Sequence, residues 1–231
     1  MGVGAIGLWF GSGAAALRRR RSWSARRYAE LLARLRELES GRATGGNGSD
    51  ADAAHTVDRR ARELSAVIGA TRAATDPAVR ALTARAETAL RHALRDLCEL
   101  ALAGDPAVPD LAAFDATVRR LAAAVPLTVQ VTVDAVPAAP MAVSTAYAVI
   151  CEALGNVVGH AGARRAIVTV RRHGPTVQIA VSDDGAGGAQ PVIGGGIVLL
   201  AARITALGGI LHVDSPPGSG THLTVELPYH T

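Results

Sequence analysis

The chain has 231 residues, enough for one sizeable core with helical extensions. Its basic residues, 24 in number and all arginine, outweigh 20 acidic ones for a net charge of +4. That excess is modest and forms no stripe interleaved with aromatics, which argues against direct nucleic-acid binding.

Aromatics are only 3% of the chain against 49% hydrophobic residues, so the core is predicted to be built from Ala, Val, Leu and Ile. The two cysteines, Cys98 and Cys151, lie far apart in sequence in apolar helical contexts without metal or redox spacing. They read as buried thiols in a reducing compartment.

Met1 to Leu17 carries no charge, and Arg18 to Arg21 follow as an unbroken run. As a helix this stretch would reach ~25 Å, slightly short of a ~30 Å hydrocarbon core. It reads either as a short membrane span or as the remnant of a longer membrane domain. A signal peptide would place its charges before the apolar run. The favoured expectation is residues 1–21 at the cell membrane, with the remainder cytoplasmic by the positive-inside rule. Ser24 to Glu39 then has apolar residues at helical spacing (Tyr28, Leu31, Leu32, Leu35, Leu38). It reads as a juxtamembrane helix pairing with its copy, or as an amphipathic helix lying on lipid. Gly41 to Ala51 is a glycine-rich linker that completes a region 22–51.

Residues 52–104 read as a helical hairpin. Val57, Ala61, Leu64, Val67 and Ile68 line its first arm. Leu82, Ala86, Leu90, Leu94, Leu97 and Leu100 line its second, and Thr75-Asp76-Pro77 breaks the two. A hairpin with one apolar face per helix predicts a four-helix dimerisation bundle. Asp105 to Pro109 is a turn, and the remaining residues, 110–231, are predicted to form a separate catalytic domain. Its elements are a helix over Leu111 to Ala124, a strand over Leu127 to Val133 and a long helix over Ala142 to His160. Strands follow at Ala166 to Arg172 and Thr176 to Ser182, then a helix at Ile197 to Leu207 and strands at Ile210 to Asp214 and His222 to Leu227.

Within that region Glu152, Asn156 and His160 recur at steps of four and share one helix face. An acid, an amide and an imidazole on an otherwise apolar helix are costly to bury without a polar ligand. The Asn156 amide oxygen suits Mg²⁺, Glu152 can orient a metal-bound water or accept a proton, and His160 can donate to a phosphate oxygen. Helix-end capping is the plainer reading of the same three residues. Asp183 ends a strand in Asp183-Asp-Gly185-Ala-Gly187-Gly, where its carboxylate can accept from an adenine amino group while the glycines let backbone approach the base. Ile193-Gly194-Gly195-Gly196 leads into a helix N-terminus, whose free N–H groups and dipole favour phosphate. It is neither a P-loop nor a dinucleotide fingerprint. Gly218-Ser219-Gly220-Thr221 turns into the last strand, where Thr221 either contacts phosphate or closes the hairpin.

Taken in this order, the motifs resemble the ATP-binding domain shared by histidine kinases, Hsp90-type chaperones, gyrase-type topoisomerases and MutL-type repair proteins. The resemblance is closer to two-component sensor histidine kinases of the nitrate-sensor-like subfamily, whose regulators end in helix-turn-helix domains. It rests on Glu152-Ala-Leu-Gly-Asn156-Val-Val-Gly-His160-Ala-Gly-Ala163, on Asp183 to Gly188, on Ala206-Leu-Gly-Gly209 and on Ser215 to Thr221. It implies an α+β fold: a C-terminal α/β sandwich of the Bergerat type, with a mixed sheet and helices on one face, behind a helical hairpin. It further implies ATP and Mg²⁺ as ligands, with Asn156 holding Mg²⁺ and Asp183 reading adenine. Gly185, Gly187, Gly194 and Gly196 would shape the pocket and a lid over Gly188 to Gly195. A homodimer and a phosphorelay to a response-regulator aspartate are also implied.

The chain departs from that pattern at the phosphoacceptor. The subfamily string Arg-x-Ala-Arg-Glu-Leu-His-Asp is matched here by Arg60-Ala-Arg-Glu-Leu64-Ser65-Ala66, which has neither His nor Asp. His55 lies upstream and is the candidate acceptor, or else a solvated residue at a helix start. His92 sits on the other arm, and His173, His212, His222 and His230 fall in turns or strands. Two functions therefore remain open: an active kinase, and a degenerate kinase that binds ATP, dimerises and regulates a partner without phosphorylating itself.

Overall fold

The structure is a computed structural model describing residues 26–40, 50–103, 110–188 and 196–229. The proposed membrane segment, most of the glycine-rich linker, the Asp105–Pro109 turn, nearly all of the proposed lid including Gly194, and His230 lie outside the described residues.

Five strands form one mixed sheet in the order β1-β2-β3-β5-β4. β1 (Thr128–Val133) pairs in parallel with β2 (Arg165–His173), Thr128 lying opposite Arg165. β3 (Thr176–Asp183) returns antiparallel across a tight turn, with His173 opposite Thr176. β5 (His222–Pro228) lies antiparallel to β3, and β4 (Ile210–Asp214) closes the edge, antiparallel to β5. Alternation along the strands decides which face is covered. Ala166, Val168 and Val170 of β2, Val177, Ile179 and Val181 of β3, and Leu223, Val225 and Leu227 of β5 are all buried. On the opposite face Ile167 is 45% exposed. Among the described residues helices cover the first face, as the resemblance implies.

That cover consists of α4 (Leu111–Ala123), α5 (Pro140–Asn156) and α6 (Gly196–Ala206). Asp110 caps α4 through its side chain, which accepts from the Ala112 N–H at 2.9 Å. The Phe114 ring of α4 stacks obliquely on the Tyr147 ring of α5, their centroids 4.7 Å apart. α5 starts on Pro140, where a missing N–H costs nothing. Pro140–Gly159 is long and apolar enough to cross a membrane by composition, yet 67% of it is buried inside the fold, as a central core helix would be. The sequence predicts α-helix through His160, but the chain widens at Val157–Ala161 into a π turn closed by Gly162 at φ 60. Such turns interrupt helices most often at functional sites.

The hairpin is present, with α2 (Asp50–Thr71) and α3 (Pro77–Ala103) as its arms. Asp76 caps α3 by accepting from the Ala78 N–H at 2.8 Å, with Pro77 as its first residue. Near the connection the Thr83 hydroxyl donates to Thr71 at 2.8 Å, satisfying two buried hydroxyls. A helix over residues 26–40, α1, lays Leu35 and Leu38 into the same core.

Two expectations change here. The hairpin faces were expected to lack a partner within the chain. Instead Leu64, Ile68, Leu90, Leu94 and Leu97 join one continuous core with α1, α5 and the sheet, because α3 packs directly on α5. The cysteines are buried as expected, Cys98 at 5% and Cys151 at 8% exposure. Their separation in sequence is misleading, however. The α3–α5 contact brings them face to face, and the structure joins them as a disulfide.

Candidate functional site

The site residues fall into two clusters at the ends of α5 and β3. The first is built on α5. Glu152 projects from the helix with its side chain 23% exposed. Its carboxylate lies against the first residue of α6, so close that a Cβ added to Gly196 would stand 2.2 Å from it. Gly196 thus lets the end of the Glu152 side chain approach the backbone closely, and the carboxylate sits where a helix N-terminus favours negative charge. From the other side Arg95 of α3 reaches to 3.9 Å from Glu152. Asn156, half-buried, is the last residue of α5, one turn beyond Glu152. His160 follows in the π turn.

Two glycines on this helix have a packing role. A Cβ on Gly155 would stand 3.3 Å from the Arg91 side chain, and one on Gly159 would stand 3.2 Å from its guanidinium. Arg91 of α3 thus lies along the site helix. Beside it Glu87 is partly buried between Arg72 and Arg91, and burial raises its pKa against the pull of both arginines. Arg72 itself donates to the Ala163 carbonyl at 2.8 Å.

The second cluster is built on the β3 terminus. One Asp183 oxygen accepts from the Gly185 N–H at 2.8 Å, and Thr221 also donates to this carboxyl. The Asp183 N–H donates to the Thr221 carbonyl at 3.0 Å. Burial raises the Asp183 pKa, outweighing these hydrogen bonds, with the neighbouring Asp184 charge pushing the same way. Asp184 behaves oppositely. It accepts from the N–H groups of Arg164 and Arg165 at 2.7 and 2.9 Å, and its pKa is lowered, first by the Arg165 and then by the Arg164 hydrogen bond. Around Asp183 the loops interlock. A Cβ on Gly187 would fall 2.2 Å from the Pro216 carbonyl oxygen, and one on Gly220 would fall 2.0 Å from that of Asp183. Thr221 and Ser215 share a hydroxyl hydrogen bond at 2.9 Å.

The structure therefore places Glu152 with Gly196, and Asp183 with Gly185, Gly187 and Thr221. Asn156 continues the first group at the end of α5, and His160 follows in the π turn. His55 stands apart. It is exposed on α2, in a cleft of about 380 Å³ shared with Ala54, Asp58 and Arg120. Sequence reasoning missed Arg91 and Arg95, because nothing in the spacing of α3 announces that it lies beside α5. It also missed Asp184 and Ser215, although the Asp183-Asp184 pair was visible as a signal.

No protein-family model matches the chain, and no curated protein matches it. Among solved structures it is similar to the histidine kinase domain of the Erythrobacter litoralis EL346 blue-light activated histidine kinase. That match has 20% identity and a TM-score of 0.49, covering 77% of this chain and 94% of the other. A second is full-length ShkA in complex with AMPPNP, at 21% identity and a TM-score of 0.43, over 78% of this chain and 46% of that one. A third is the ATP-binding domain of PrrB from Mycobacterium tuberculosis, at 22% identity and a TM-score of 0.39, over 51% and 92%. The chain thus spans less than half of full-length ShkA.

Proposed function

We propose that the protein is a two-component sensor histidine kinase-like protein that binds ATP with Mg²⁺ and passes the γ-phosphate to a histidine and then to a response-regulator aspartate. The observation that carries this reading is Asp183. A carboxylate at a strand end, fixed by Gly185 and Thr221 and raised in pKa by burial, is suited to accept from the amino group of a flat base. The glycines beside it leave no side chain in the way of that base. The first turn of α6 would receive phosphates through its N–H groups. Asn156 is the amide for Mg²⁺, an ion that takes most of its remaining ligands from phosphate and water, so a single protein amide fits it. Mg²⁺ bound with ATP supplies the positive charge that lets phosphates lie beside the Glu152 carboxylate. Glu152 would then accept a proton, and His160, in the π turn that follows α5, would donate to a phosphate oxygen.

In this reading the acceptor is His55, the chain works as a homodimer at the cell membrane through residues 1–21, and its partner is a regulator with a helix-turn-helix output. One observation favours the second reading, a degenerate regulatory module. At the string where the subfamily carries its acceptor, this chain has Ser65, and the Ser65 hydroxyl is already engaged, donating to the Ala124 carbonyl.

Incubation of the full chain with γ-labelled ATP and Mg²⁺, beside His55→Ala, separates the two. Acid-labile, alkali-stable label that disappears in the variant is the expected result. ATP binding without any label would replace the kinase by the regulatory module, and no ATP binding at all would overturn both.

A further inference from the structure

The chain contains two cysteines, and both lie where the hairpin meets the site helix. Cys98 is one turn from Arg95 on α3. Cys151 immediately precedes Glu152 on α5. Their Cα atoms are 6.9 Å apart, at the long end of what a disulfide spans. Each sulfur also faces a backbone carbonyl of the opposite helix, Cys98 at 3.6 Å from the Tyr147 oxygen and Cys151 at 3.5 Å from that of Leu94. As thiols, both can donate to those carbonyls, so the site accommodates the reduced pair as well as the oxidised one.

We propose that Cys98 and Cys151 form a redox latch: the disulfide holds the hairpin docked on α5, and the dithiol releases it. The polar tie beside it, between Arg95 and Glu152, is weak. Arg95 is 61% exposed, and its 3.9 Å pairing with Glu152 is screened by solvent. The covalent bond is therefore far stronger than the Arg95–Glu152 pairing beside it. The latch closes by exchange with a small-molecule disulfide. One cysteine thiolate attacks a sulfur of that disulfide, forming a mixed disulfide and expelling one small thiol. The second cysteine then attacks the protein-side sulfur and expels the other. The protein loses two electrons and two protons, and the small molecule is reduced to two thiols.

The consequence for phosphate transfer rests on the function proposed above. α2 packs on α3, and α3 packs on α5, so in the docked arrangement the His55 helix lies against the site helix chiefly through α3. Among the described residues, the cleft at His55 is lined by Ala54, Asp58 and Arg120 of α2 and α4. Leu90, Leu94 and Leu97, which a four-helix bundle would use, are spent on the docked core. Oxidation thus holds the non-transferring arrangement, and reduction permits the transferring one.

The test uses the full chain, oxidised with glutathione disulfide or reduced with dithiothreitol, and reads free thiols and amide hydrogen exchange. The oxidised folded chain should show no titratable thiol and the reduced chain two. Exchange over residues 90–100 and 147–156 should be about tenfold or more faster after reduction. Cys98→Ser and Cys151→Ser should each exchange like the reduced protein whatever the oxidant, and if neither folds, the wild-type comparison decides alone. Two thiols persisting after oxidation, or exchange indifferent to reduction, overturns the latch. Because neither readout involves ATP, failure of the latch is distinct from failure of the kinase reading. A latch that switches in a chain that never takes label leaves redox control of docking standing and removes only its phosphotransfer consequence.

Discussion

Asp183 and Asp184 are adjacent, equal in chemistry and opposite in electrostatics. Asp184 is fully exposed to solvent and takes two backbone N–H groups from the start of β2, so its ionised form is favoured. Its contribution to stability is present above the ordinary aspartate range and is lost as pH falls through its lowered value. Asp183 is partly buried and its neutral form is favoured. Its contribution is present below the ordinary range and is lost as pH rises through its raised value. Burial thus works against the ionised form of Asp183, while the hydrogen bonds from Gly185 and Thr221 work for it. Asp183→Asn should remove the decline in stability that this residue causes as pH rises through its raised value, and leave the fold at neutral pH as stable as before or more so. It should also weaken adenine-nucleotide binding by roughly ten- to hundredfold, the ~1.5–3 kcal/mol of a charged hydrogen bond. Thermal melts across pH and titration with an ATP analogue check the two halves. Unchanged affinity would show that Asp183 does not read the base.

At the scale of elements, the turn between β4 and β5 is what holds Asp183 in place. Gly220 has φ +77, and a Cβ there would stand 2.0 Å from the Asp183 backbone oxygen. The obstacle is main chain, so no side-chain rotation relieves it. Gly220→Ala should cost about 2–4 kcal/mol, combining the left-handed penalty with displacement of the strand end. At roughly 2–4 °C per kcal/mol for a chain of this size, the melting temperature should fall by about 5–15 °C, which calorimetry measures. Gly196→Ala differs in kind, because the obstacle there is the end of the flexible Glu152 side chain. The sequence made these turn glycines legible, since Gly-Ser-Gly-Thr between two alternating apolar runs has few other uses. The strands were legible for the same reason, each within a residue or so of its observed bounds. The π turn was not, because α and π geometry share one apolar pattern over so few residues. Nor was the meeting of Cys98 with Cys151. Periodicity says which face of α3 is apolar, and it does not say which helix covers that face.

On the scale of the whole molecule, hairpin and sandwich share one core, and this predicts their cooperativity. Leu94 is 1% exposed on α3, and its backbone carbonyl faces Cys151 on α5. Leu94→Ala removes packing from the joint itself and should cost about 2–5 kcal/mol through the cavity it leaves. If hairpin and sandwich were independent domains, that loss would lower one transition and spare the other. With the disulfide closed, the whole described fold should instead melt in a single calorimetric transition that Leu94→Ala shifts intact, with calorimetric and van't Hoff enthalpies in agreement. Opening the 53-residue loop between the cysteines removes about 4 kcal/mol in the chain-entropy view of a crosslink. Reduced protein should therefore melt well below oxidised protein, and hairpin and sandwich, released from one another, should separate into two transitions that Leu94→Ala moves further apart. Two transitions in the oxidised wild type would mean that the α3–α5 contact is an interface between domains and not part of a common core.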